Sequence, residues 1–326
     1  MSWNKSQRAR AWTDYWHQGH RHSLPGDFKD HYGAATRLFW RQAINGLPKN
    51  AVILELGCGN GSLIRWLLDE VDSTVSIVGV DLAKLDTRWL TALSPDQRQR
   101  VTVHQSCDVA KLNATFFSVD LIVSQYALEY FASDPIWERL EGAVNTGTSF
   151  AGITHAKGAV PYTVALAEVA HINWILANGG IIQAAKRALP FAVSAGAHQL
   201  AGATNKSQHA AAAQTSLKQS LSAMQDRAQS TAYPDVLMHC GRTIIELMTQ
   251  APQLGLQRAM KGLKSYRESL SQSLIRATEL TNYALTEDLV GQWQTRFEQK
   301  GLVTCRKAQI VEGQHWIGTG IHTESG

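Results

Sequence analysis

The stretch Glu55-Leu56-Gly57-Cys58-Gly59-Asn60-Gly61 ends a short apolar run, AVILEL, and precedes residues with helical spacing, Ser62 to Glu70. A glycine-rich turn between a buried strand and a helix lets a ligand approach the backbone closely and meet the N–H groups of a helix N-terminus. The dinucleotide fingerprint GxGxxG would need a third glycine at position 62, where the chain has Ser62. Asp81 ends a second apolar run 26 residues after Glu55, and Asp108 lies 27 residues further on, past a third. Either acid alone reads equally well as a cap or turn residue; their place in the series singles them out. His155 closes another apolar run, SFAGITH, where an imidazole with a pKa near neutral can take up a proton or simply bond to backbone. Glu129, Tyr126 and Tyr15 are the other candidate bases. His171, in an apolar stretch with Asn173 and Trp174, reads as a satisfied core histidine. His17, His20, His22 and His31 carry no spacing that completes a metal site with a nearby cysteine or acidic cluster, so no metal is expected.

The elements that must position these residues show in the apolar runs. AVILEL, VSIVGV, VTVH, VDLIVS and SFAGITH alternate with helical patterns, the signature of βα units and a parallel sheet. The runs lack polar alternation, as strands buried on both faces do. Before them, residues 1–50 hold eight of the 26 Phe, Trp and Tyr residues, with a turn at Pro25-Gly26 and an amphipathic helix from Tyr32 to Gly46. After them, 156–285 has no convincing strand; Pro161 suits a first helical turn, Gly179-Gly180 a stop, and Leu256 to Ala277 keeps helical spacing. Glu287 to Lys300 reads as a helix stopped by Gly301, followed by a hairpin turning near Gly313.

The pattern ExGxGxG after a first strand resembles the first motif of class I S-adenosylmethionine (SAM) methyltransferases. Asp81, Asp108 and the segment Asp120-Leu-Ile-Val-Ser-Gln-Tyr-Ala-Leu-Glu extend the resemblance, which covers about 51–155 and 286–324. It implies an α/β fold: a mostly parallel seven-stranded sheet with an N-terminal helical lid and an all-helical insertion before the last helix and C-terminal β-hairpin. The implied division is 1–50 lid, 51–155 SAM-binding core, 156–285 helical cap or insertion, and 286–326 helix and hairpin completing the sheet. It implies SAM as cofactor, with Glu55 at the methionine end, Gly57, Cys58, Gly59 and Gly61 shaping the loop, Asp81 with Leu82 at the ribose, Asp108 with Val109 at the adenine, and Ser124 and Gln125 beside the methionine moiety. Aromatic residues of the lid around Asp14-Tyr15-Trp16 would close over the sulfonium, or only pack on the sheet.

Methyl transfer needs a nucleophile in line with the methyl carbon, plus a base when that nucleophile is a hydroxyl. Ser-Gln-Tyr-Ala stands where amino-methylating nucleic-acid enzymes carry Asn/Asp-Pro-Pro-Tyr/Phe, there is no Pro-Cys nucleophile, and Glu129 is a single glutamate where arginine methyltransferases carry two. A small-molecule acceptor, preferably an oxygen, is the expectation by elimination, and nucleic acid is not an expected partner. The alternatives are a macromolecule methyltransferase docking RNA or protein through the insertion, and a non-catalytic SAM-binding partner or sensor.

The chain of 326 residues, 44% hydrophobic and 18% charged, can bury a large core. Its four cysteines stand singly, against a zinc ribbon or disulfide scaffold. Segment 156–285 carries twelve Lys/Arg against six Asp/Glu, an excess of +6 within a chain of net charge +4. That suits an acidic or phosphorylated acceptor or an anionic surface, or is a solvated helix face; the segment itself is a pocket-shaping cap or a homodimer interface. The N-terminus is polar and no secretory signal, and the most apolar stretch, 159–177, is interrupted by Glu168, His171 and Asn173, so a cytoplasmic protein without a membrane span is expected.

Overall fold

A computed structural model describes residues 3–23, 33–131, 134–145, 147–195, 204–299 and 303–325. The expected turn at Pro25-Gly26, the residues Phe28, His31 and Tyr32, and the helix stop at Gly301 lie outside the described residues. The strands are β1 (Val52–Leu56), β2 (Ser76–Val80), β3 (Val101–His104), β4 (Leu121–Gln125), β5 (Ser149–Thr154), β6 (Val303–Glu312) and β7 (His315–Ser325). The helices are α1 (Lys5–His17), α2 (Ala34–Ile44), α3 (Ser62–Glu70), α4 (Pro95–Gln99), α5 (Leu128–Phe131), α6 (Asp134–Asn145), α7 (Val160–Leu176), α8 (Ile181–Ala195), α9 (Thr204–Gln229), α10 (Asp235–Tyr283) and α11 (Glu287–Glu298).

The seven strands form one sheet in the order β3-β2-β1-β4-β5-β7-β6. β1 to β5 are parallel, while β7 runs antiparallel to both β5 and β6. This is the mostly parallel α/β fold with a C-terminal hairpin that the class I resemblance implied. The order reverses between β1 and β4, so the carboxyl ends of these strands open a crevice at a topological switch point, where such sheets bind ligands.

Both faces of the sheet are covered, which explains the unbroken apolar runs. Ile53, Ile77, Val123 and Ala151 pack with Leu63, Ile64 and Leu67 of α3 and with Phe39 and Trp40 of α2. Their strand neighbours Leu54, Ile122 and Phe150 point the other way, into Trp137 and Leu140 of α6 and Trp293 and Phe297 of α11. Phe297 stacks on Phe150 at a centroid distance of 5.0 Å and meets Trp137 edge-on at 5.5 Å, locking the last helix onto the sheet.

The chain divides into two compact units, Met1–Thr163 with Glu279–Gly326, and Val164–Thr278. The core therefore begins and ends a few residues inside the 156–285 segment. The second unit is all helical among its described residues, around Ile172, Leu189, Leu237 and Leu263. Pro161 does sit in the first turn of α7, and Gly179, at φ 79°, follows its end. The spacing from Leu256 to Ala277 belongs to α10, whose 49 residues are broken at Gly255, with φ 73°. No single helix among the described residues is long and apolar enough to cross a membrane; only α7 and α8 together, bent by 43°, pass that test.

Truncating Phe297 removes a ring that is 3% exposed and shared by α6, α11 and β5. Phe297→Ala should lower unfolding free energy by about 3–5 kcal/mol in urea titration, with the transition still cooperative.

Candidate functional site

The turn after β1 is built around backbone that side chains would block. Gly59 has φ 50°, and a Cβ there would stand 2.6 Å from the Trp16 ring. Gly57 has φ 77°, and its missing Cβ is replaced by close approach of Ala127. Gly57 and Cys58 both donate their N–H to the Val80 carbonyl, at 2.8 and 3.1 Å, tying the turn to the end of β2. Gly61 caps α3.

Asp81 follows β2 and is 8% exposed. Its Oδ2 accepts the Gly59 N–H at 2.9 Å and its Oδ1 accepts the Ala83 N–H at 2.8 Å. Burial pushes the carboxyl up to about 6 against the pull of these two N–H groups. Glu55, 2% exposed, is raised well above the usual carboxylate range, first by burial and then by Asp81. The Cys58 thiol rises for the same reasons, burial and then the charges of Asp81 and Glu55. Glu55 Oε2 is buried with no hydrogen-bond partner. An unsatisfied buried carboxylate oxygen costs free energy that a donor or cation on a ligand recovers.

These groups line one cavity of about 370 Å³, inside the roughly 300–1,000 Å³ range of small-ligand sites. Its lining includes Glu55, Gly57, Cys58, Gly59, Asp81 and Leu82, together with Asp108 and Val109. Asp108 is pulled up by burial, but an ion pair with Lys5 and the Ala110 N–H outweigh this and hold its carboxyl below the usual range. Gln125 is also in the lining, its Oε1 accepting from Trp40 Nε1 at 2.7 Å. Ser124 is not; it is fully buried and donates to the Leu56 carbonyl at 2.9 Å. The lining thus combines an acid with an unpartnered oxygen, a glycine turn open to close approach, and two further acids.

The lining also includes Tyr126, Ala127, Glu129 and Tyr130 from the turn after β4. Tyr126 takes φ 54° while its N–H donates to the Ile153 carbonyl at 2.6 Å, which turns the chain sharply at the strand end. Glu129, 4% exposed, accepts both the backbone N–H of His155, at 2.9 Å, and the His155 Nδ1 on one oxygen, Oε1. Its second oxygen, Oε2, is buried and has no partner. His155 is 1% exposed, lies outside the cavity lining, and meets the Tyr126 ring at 4.7 Å. Burial, then Glu129, raises the hydroxyls of both Tyr126 and Tyr130, so these phenols stay protonated and act as donors rather than bases. Tyr15 also stands outside the lining: its hydroxyl donates to the His22 carbonyl at 2.6 Å and its ring stacks on His20 at 4.1 Å. His171, in the helical unit, accepts at Nδ1 from Arg227 Nε at 3.0 Å, as a satisfied histidine does.

Some lining residues carried no signal in the sequence. Arg8 ion-pairs with Glu279, donates to the Tyr130 carbonyl at 3.0 Å, and lies over the Tyr283 ring at 5.3 Å. Glu279 and Tyr283 are more than 270 residues from Arg8 along the chain, so only folding brings them together. Trp12, which stacks on Trp16 at 5.8 Å, was anticipated only as part of an aromatic-rich segment, whereas the sequence places Trp16 in the expected lid.

Residues 53–145 match a family model described as a methyltransferase domain. No curated protein matches the chain. Among solved structures it is similar to a cyclopropane-fatty-acyl-phospholipid synthase-like protein from Lactobacillus casei ATCC 334, with 23% identity, TM-score 0.31, and 44% of this chain and 56% of that one covered. It is similar to the methyltransferase domain of bacterial CtHen1, with 13% identity, TM-score 0.40, and 89% and 96% covered. It is similar to the glycopeptide N-methyltransferase MtfA, with 20% identity, TM-score 0.29, and 39% and 56% covered. The chain thus spans little more than half the length of the first and third. At these identities and TM-scores none of the three bears on what this chain acts on.

The buried acid at β2 has a measurable signature. A carboxyl raised from 3.8 to about 6 adds stability that is complete below pH 3.8 and lost as pH rises through about 6. Relative to Asp81→Asn, the native chain should lose about 2 kcal/mol between pH 4 and pH 7, read by urea unfolding across that range.

Proposed function

We propose that this chain is an S-adenosylmethionine-dependent methyltransferase that methylates a small molecule, with an acceptor oxygen favoured. The observation that carries the reading is one cavity lined by the glycine turn, by the acids Glu55, Asp81 and Asp108, and by Glu129, whose Oε2 has no partner. S-adenosylmethionine, when bound, supplies an electrophilic methyl group on a sulfonium. Glu55 takes the methionine ammonium, Asp81 the ribose hydroxyls and Asp108 the adenine amine, each through a carboxylate already in the lining. Trp12 and Trp16 add aromatic rings, which attract a cation. Both carboxylate oxygens of Asp81 already accept backbone N–H groups, and each keeps a further lone pair for a ribose hydroxyl.

Glu129 is the catalytic residue in this reading, and His155 its positioning residue. The acceptor's O–H or N–H donates to Glu129 Oε2, and the proton passes to that oxygen as the acceptor attacks. The His155 backbone N–H and Nδ1 hold Oε1, so the carboxylate cannot swing away from the cavity. Tyr130, with its buried hydroxyl also lacking a partner, offers the acceptor a donor. The aromatic and Arg8 side chains around these groups displace water, which strengthens the hydrogen bonds to Glu129.

Calorimetric titration should give micromolar binding of S-adenosylmethionine and S-adenosylhomocysteine and none of NAD. Asp81→Ala should weaken the first two by at least about tenfold, the loss of one or two charge-assisted hydrogen bonds. Absence of binding by the native chain sinks the reading. Glu129→Gln should leave that affinity within a factor of two and lower turnover about 10²- to 10⁴-fold with whichever metabolite accepts label from methyl-labelled S-adenosylmethionine. Undiminished turnover would remove Glu129 from the chemistry.

A further inference from the structure

Asn60 sits between two glycines of the turn, is 6% exposed, and does not line the cavity. Its side chain is nevertheless fully engaged. Nδ2 donates to the Trp16 carbonyl at 2.9 Å and to the His20 carbonyl at 2.8 Å, while Oδ1 accepts the Asp86 N–H at 3.1 Å. Two carbonyls on one end and an N–H on the other fix which way the amide faces. The next side chain to reach out from this turn does the same work: the Ser62 hydroxyl donates to the Arg21 carbonyl. A third tie comes from the loop after β2, where the Lys84 N–H donates to Thr13 Oγ1 at 2.9 Å. Carbonyls at a helix C-terminus and just beyond it have few partners of their own, and here donors from the turn supply them.

The consequence falls on the cavity. Trp16, Arg21, His22 and Ser23 line it, and the Trp16 ring lies directly against Gly59. Each is held there by backbone within a residue or two of a carbonyl that Asn60 or Ser62 binds. We propose that Asn60, with Ser62, is a positioning residue: it clasps the segment from Trp16 to Arg21 onto the glycine turn and so makes that segment a wall of the cofactor site. The clasp itself needs no ligand; only its effect on S-adenosylmethionine rests on the function proposed above.

Asn60→Asp is the informative variant, because it keeps an acceptor for the Asp86 N–H and sets an oxygen against the Trp16 and His20 carbonyls in place of the donor. Ser62→Ala, a milder change in the same clasp, keeps the test alive if Asn60→Asp folds poorly. In the full-length chain without ligand, tryptic cleavage after the exposed Arg21 should run at least about fivefold faster in Asn60→Asp, and measurably faster in Ser62→Ala, with the far-UV circular dichroism unchanged. The Kd for S-adenosylmethionine by calorimetry should rise about tenfold in Asn60→Asp, and the ligand should slow cleavage in the native chain far more than in the variant. Native cleavage rates in both variants overturn the clasp. A weaker Kd in Asn60→Asp at the native cleavage rate also overturns it, since Asn60 would then act on the ligand and not through the segment. A native chain that binds no S-adenosylmethionine overturns the cofactor reading instead, while the ligand-free cleavage rates still decide the clasp.

Discussion

The carboxylate of Asp81 is held out of water at the end of β2, with both oxygens spent on backbone N–H groups from different turns. Much of the site follows from that one burial. Gly59 must present its N–H to Asp81, so the turn after β1 adopts a left-handed φ, and the space left without a Cβ is where the Trp16 ring packs. Glu55, in the same dry region, feels Asp81 as a like charge and is left with an oxygen that nothing in the protein satisfies. Two carboxylates kept this close and this dry cost stability. The arrangement makes physical sense when the missing counter-charge and donors arrive with a ligand.

The same economy appears in the turn after β4, with different parts. Glu129 commits one oxygen to two N–H groups of His155 and leaves the other uncommitted. The roles of the two residues thereby separate. The histidine, buried beside the glutamate, holds its Oε1, and Glu129 is the one of the two that lines the cavity. A strand-end histidine is an obvious proton acceptor on pKa grounds alone. Both side chains are buried, and of the two residues only Glu129 lines the cavity.

The N-terminal segment contributes to the same lining. Lys5 pairs with Asp108, Arg8 with Glu279, and Asn60 holds the carbonyls after α1. Each contact links a residue of the N-terminal segment to a different part of the core. Pairs of this kind contribute modestly one by one when partly exposed. Their number and their spacing along α1 and the residues after it are what place Trp12 and Trp16 in the lining.

From the sequence alone, the strands, the glycine turn and the acids in β1 and after β2 and β3 could be placed, because each depends on local pattern. A strand buried on both faces must be apolar throughout, and a strand-to-helix turn this tight must use glycine. The last helix and hairpin were legible for the same reason, through Gly313, at φ 61°, and the run before it. What the sequence could not order were contacts between residues far apart along the chain. Arg8 with Glu279 and Tyr283, Glu129 with His155, and Asn60 with Trp16 and His20 are pairings of ordinary residue types with no spacing to mark them. Composition and periodicity record which face of an element is buried, but not which polar group finds which partner once water is excluded. That choice is made by the packed sheet, which brings β4, β5 and the ends of α1 and α10 to one edge.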